Sequence, residues 1–89
     1  MSLRKRVTRE NAHATFQSHD GTWTWYVLKV YQTPANEAKN HFARWLCQVT
    51  SPYTMGDGDM GDTYIRDVRR GSRLIACTEE WTAAYGESA

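Results

Sequence analysis

The chain predicts an α+β fold: a small single domain with an antiparallel, meander-like sheet of four to five strands and a short C-terminal helix packed on one face. Three observations carry that prediction. Short runs rich in β-branched and aromatic residues recur between Gly, Pro and Asp turn signals. Helical spacing with both end signals occurs only after Thr78. The length, 89 residues, suits one domain.

Residues 1–10 offer only Leu3 and Val7 for burial among the basic side chains Arg4, Lys5, Arg6 and Arg9. They are expected to form a flexible basic arm before a globular domain over 11–86 and a tail at 87–89. From Asn11 to Gln17 the pattern alternates weakly, with Ala12, Ala14 and Phe16 on one side. Ser18-His19-Asp20-Gly21 then gives a hairpin signal, since Gly21 accepts a positive φ at little cost.

The second hairpin arm is the strongest strand. In Thr22–Gln32, strict alternation puts Trp23, Trp25, Val27 and Tyr31 on one face and Tyr26, Leu28 and Val30 on the other. A strand apolar on both faces needs cover on both, so it belongs near the middle of the sheet. Thr33-Pro34 ends it, and Ala35–Asn40 is either one or two helical turns or a loop.

Phe42–Ser51 is the next strand, with Ala43, Trp45, Cys47 and Val49 alternating. Three glycines make Tyr53–Gly61 a long irregular loop. In Asp62–Val68, Ile65 and Val68 have helical spacing, but Tyr64, Arg66 and Val68 alternate, and strand is the expectation. Gly71-Ser72 supplies a turn before the strand Arg73–Thr78. Thr78 then caps a helix with Glu79 and Glu80 in its first turn, a stripe of Trp81, Ala84 and Tyr85, and Gly86 as its stop. The expected core is Trp23, Trp25, Val27, Trp45, Cys47, Ile75 and Trp81.

Composition narrows the function classes. Four Trp, five Tyr and two Phe supply the bulk a small core requires. The net charge of +1 predicts neither nucleic acid nor membrane by balance alone. No apolar run nears the ~20 residues that span a bilayer, and a soluble cytoplasmic protein is expected. Cys47 and Cys77 lie in apparent strands and are expected to be reduced core thiols, with a disulfide between adjacent strands as the alternative.

Chemical signatures are weak. Asp57, Asp59 and Asp62 sit on a glycine-rich loop, but a calcium loop needs an oxygen ligand where Gly61 stands and a bidentate Glu where Val68 stands. His13, His19 and His41 fall at no zinc spacing. No nucleophile elbow, phosphate loop or Cys–His pattern occurs, so a non-enzymatic protein without catalytic residues, metal or cofactor is expected.

Trp, Tyr and Arg dominate interface energetics, and Arg outnumbers Lys eight to three here. The leading expectation is therefore a protein-binding module contacting its partner through Tyr53, Met55 and Met60 in the loop and through Arg66, Arg69, Arg70 and Arg73. An exposed strand edge also offers a route to homo-oligomers. The alternative is a nucleic-acid binder using Arg4, Lys5, Arg6 and Arg9 with aromatic residues of the sheet. In size and arginine usage alone, the chain is similar to the small single-domain products of phages and mobile elements of GC-rich bacteria. That likeness implies an accessory protein acting on a host or virion protein.

Overall fold

The computed structural model describes residues 7, 12–34, 44–51 and 63–89. The basic residues at 4–9, the segment Ala35–Asn40, His41 and the Tyr53–Gly61 loop with its acidic cluster lie outside the described residues. Five strands and one helix follow in order: β1 (Ala14–Ser18), β2 (Thr24–Gln32), β3 (Leu46–Thr50), β4 (Thr63–Asp67), β5 (Ser72–Cys77) and α1 (Glu79–Tyr85). All pairings are antiparallel, in the spatial order β4-β3-β2-β1-β5. The aromatic strand β2 is thus the central one, as expected from its sequence.

The β1–β2 hairpin closes at Asp20-Gly21. Gly21 has φ 79°, and Ser18 N–H donates to the Trp23 carbonyl at 2.9 Å. The Asp20 carboxylate accepts from Thr22 N–H at 2.9 Å and from the Ser18 hydroxyl at 2.7 Å. These bonds, the Thr22 backbone bond foremost, hold its carboxyl below the ordinary carboxylate range.

Strands β4 and β5 lie at opposite edges of the ladder, yet only Val68–Gly71 connects them. A flat five-stranded sheet would set its outer strands about 19 Å apart. The link instead folds into successive tight turns, with Arg70 N–H donating to the Asp67 carbonyl at 3.2 Å and Ser72 N–H to the Arg69 carbonyl at 3.4 Å. Each such turn brings its ends within about 7 Å. The sheet must therefore curl enough to bring the end of β4 close to the start of β5.

Three bulges supply the curvature. On β2, Leu28 and Tyr31 are extra residues: Val27 faces Val49, Lys29 faces Gln48, Val30 faces Cys47 and Gln32 faces Leu46. On β5, Ile75 is extra, because Phe16 faces Leu74 while Thr15 faces Ala76. A bulge increases local twist and bends its strand. It also reverses the alternation beyond it.

The reversals correct the expected faces. Val30, assigned opposite Val27, packs against the core, while Tyr31 is 53% exposed. Ile75 is 38% exposed, and Leu74 takes its inward place. Trp23 precedes β2 and is 43% exposed, so it too leaves the expected core. Trp45 packs against the core only in part. The buried cluster comprises Ala14, Phe16, Trp25, Val27, Cys47, Val49, Val68, Cys77 and Trp81.

Helix α1 covers the open side of this cluster. Thr78 Oγ1 accepts from Trp81 N–H, and Gly86 ends the helix with φ 70°. Trp81 lies edge-on to Phe16 at 6.0 Å between ring centroids, and 5.6 Å from Trp45. Its indole N–H donates to the Glu87 carboxylate at 2.9 Å. Glu87, placed in the tail by sequence, is thereby tied to the domain. Val7, placed in the arm, is fully buried, and its carbonyl accepts from the Thr15 hydroxyl at 3.2 Å. Among the described residues, no helix is long and apolar enough to cross a membrane.

Cys47 and Cys77 are free and buried. Burial pushes the Cys47 thiol from 9.0 up to about 12, with Arg69 opposing the shift and Asp67 adding to it. The folded state thus holds this proton more tightly than the unfolded chain does. Stability is unaffected by this thiol below pH 9.0 and is lost as pH rises from there toward about 12, by up to about 1.4 kcal/mol per unit. A disulfide-exchange reagent at neutral pH is expected to find neither thiol in the native protein and both after denaturation. Rapid native labelling of Cys47 would contradict its placement.

Candidate functional site

The four arginines expected in the contact surface divide into different roles. Arg69, in the β4–β5 turn, is ion-paired with Glu87 and sits over the rings of Trp45 at 4.5 Å and Phe16 at 5.1 Å. A guanidinium held by a carboxylate and two ring faces is a fastening of the fold, binding the turn to the C-terminal segment. It therefore leaves the expected contact set. Arg70 and Arg73 are exposed, in that turn and in β5. Arg66, on β4, lines a cleft.

That cleft is built from β2 and β4, which flank β3. Trp23 and Trp25 are two residues apart and project the same way, and their rings stack with centroids 6.3 Å apart and planes inclined by 11°. Across β3, Tyr64 and Arg66 are likewise two apart on the inward face. Trp25 Nε1–H donates to the Tyr64 hydroxyl at 2.9 Å, and the Arg66 guanidinium lies 3.8 Å above the Trp25 ring. Arg66 Nη2 also donates to the Arg70 carbonyl at 3.0 Å, linking the cleft to the basic turn. The four side chains line an open depression of about 330 Å³.

The chemistry offered there is specific. Trp23 presents indole surface at the mouth. Tyr64 accepts from Trp25, which leaves its own O–H to donate. Arg66 has no carboxylate partner among the described residues, and its Nε–H is shielded from water without a partner. Among the described residues, the depression combines flat ring walls with the donors of Tyr64 and Arg66.

A second depression, of about 280 Å³, lies between Lys29, His13 and α1 residues Glu80, Trp81, Ala84 and Tyr85. It mixes charges of both signs. Among the described residues no three His, Cys, Asp or Glu side chains gather as metal ligands. Tyr53, Met55 and Met60, and the alternative set Arg4, Lys5, Arg6 and Arg9, lie outside the described residues.

Comparison with known proteins finds no matching family, no similar curated protein and no similar solved structure.

Sequence reasoning assigned Trp23 and Trp25 to the core and Tyr64 to a strand, and invoked sheet aromatics as a binding surface only in the nucleic-acid alternative, without naming them. The two-residue spacings Trp23–Trp25 and Tyr64–Arg66 were visible signals. What joins them is the strand order, which places both pairs on the concave side two strands apart.

Proposed function

We propose that the protein is a non-enzymatic protein-interaction module, taking its partner at the Trp23–Trp25–Tyr64–Arg66 cleft, with the exposed Arg70 beside it. The observation that supports this most is a half-exposed indole, stacked on a buried one, beside a guanidinium that the described residues leave without an acid. Trp, Tyr and Arg in a partly desolvated pocket are the usual centre of a protein interface. A nucleic-acid partner is the second reading, favoured by the same flat ring surface, on which a base would stack.

Affinity capture from the source cell, with and without nuclease, separates the two. The wild-type chain is expected to retain a protein after nuclease treatment, and Arg66→Gln is expected to lose it while melting within a few degrees of wild type. Loss of all captured material on nuclease treatment would favour nucleic acid. Unchanged capture by Arg66→Gln would move the contact away from the cleft.

A further inference from the structure

Resting on that reading, we infer that the cleft takes an acidic segment of the partner protein: a proline or aromatic ring against Trp23, with a neighbouring carboxylate on Arg66 and the Tyr64 hydroxyl. The polarity of the lining carries this. Tyr64 O–H and the Arg66 guanidinium both donate, and the ligand must therefore bring acceptor oxygens. Charge complementarity narrows it further. Arg69, three residues further on in the β4–β5 turn, is matched by Glu87, whereas Arg66 on β4 has no acid among the described residues. A carboxylate is the acceptor that fits a guanidinium with two parallel bonds.

Other occupants fit less well. An ammonium or methylated lysine would enter beside the like charge of Arg66, whose guanidinium already lies 3.8 Å above the Trp25 ring. A polynucleotide needs a basic groove that tracks successive phosphates; the net charge is +1, and among the described residues Arg66 is the one cation lining the cleft. At about 330 Å³ the depression suits a few side chains rather than a large cofactor. Trp23 supplies the planar contact and Arg66 the sign.

The test is a titration of the full-length, nitrogen-15-labelled protein, followed through the indole N–H signals of Trp23 and Trp25 and the Arg66 Nε–H signal. The probes are short end-blocked peptides with Glu beside Pro and Trp, the same peptides with Gln for Glu, and oligothymidylate. The Glu peptides are expected to move these three signals and the Gln peptides to bind at least about tenfold more weakly. Arg66→Gln is expected to erase that preference, and Tyr64→Phe, which keeps the ring, to reduce it.

Equal response to Glu and Gln peptides would overturn the inference. So would movement of these signals by oligothymidylate and not by peptide, or no movement with any probe. If the peptides fail while Arg66-dependent capture of a protein persists, the protein-binding reading stands and only the acidic chemistry falls. If capture ignores Arg66 as well, both fall.

Discussion

Trp81→Ala is expected to cost about 3–5 kcal/mol, measured by urea unfolding of the full chain. The side chain is 2% exposed, on a helix of only seven residues. A helix that short has no stability of its own and forms because this face is buried. Trp81 makes ring contacts with Phe16, Trp45 and Tyr85 and an indole bond to Glu87. Removing it opens a cavity over the concave face and frees Glu87 from one of its two partners. Domains of this kind have about 5–15 kcal/mol of total stability, so the variant should be close to unfolding. A midpoint near that of the wild type would mean that α1 does not close the core.

Removal of residues 1–9 is expected to destabilise the protein by about 1.5–3 kcal/mol, the usual worth of one fully buried Val. The deletion takes away Val7, which is completely buried, and the carbonyl that accepts from the buried Thr15 hydroxyl. Truncation is therefore unsuited to testing Arg4, Lys5, Arg6 and Arg9 for nucleic-acid contact, because a change in binding would be confounded with loss of stability. Replacing those four by Gln in the intact chain removes the charge and keeps Val7. Binding that falls steeply with salt and vanishes in that variant would support the nucleic-acid reading. Wild-type stability in the truncated chain would contradict the seating of Val7.

Much of the fold is written in local chemistry. Asp20-Gly21 is a tight-turn pair, Thr78 and Gly86 bracket a helix, and the β-branched and aromatic runs are strands, so the helix and all five strands were legible from residue order. What failed is alternation carried past a bulge. Tyr31 was placed on the Val27 face by counting in twos and Ile75 was assigned to the core, and Leu28, Tyr31 and Ile75 are the inserted residues that break the alternation. No local signal marks them: each is an ordinary strand former, and the bulges lie where β2 and β5 bend in pairing with their neighbours.

The site was legible in composition and not in position. Arg69 and Arg66 read alike in sequence, as members of one basic run. Their difference depends on Glu87, which reaches Arg69 only once α1 has folded back over the sheet, and on Trp25, which reaches Arg66 across an intervening strand. Trp23 looked like core for the same reason. A two-residue spacing shows which rings share a face but not where that face ends.

The division between the buried rings that hold the fold and the half-exposed ring at the cleft mouth is tested most directly by Trp23→Ala, with unfolding and capture measured on the same preparation. Its stability is expected to fall by about 1–1.5 kcal/mol, the worth of a stacked pair at a half-open site, with partner capture lost. A loss as large as that of Trp81→Ala, with capture intact, would show that Trp23 belongs to the interior and that the cleft is not the contact surface.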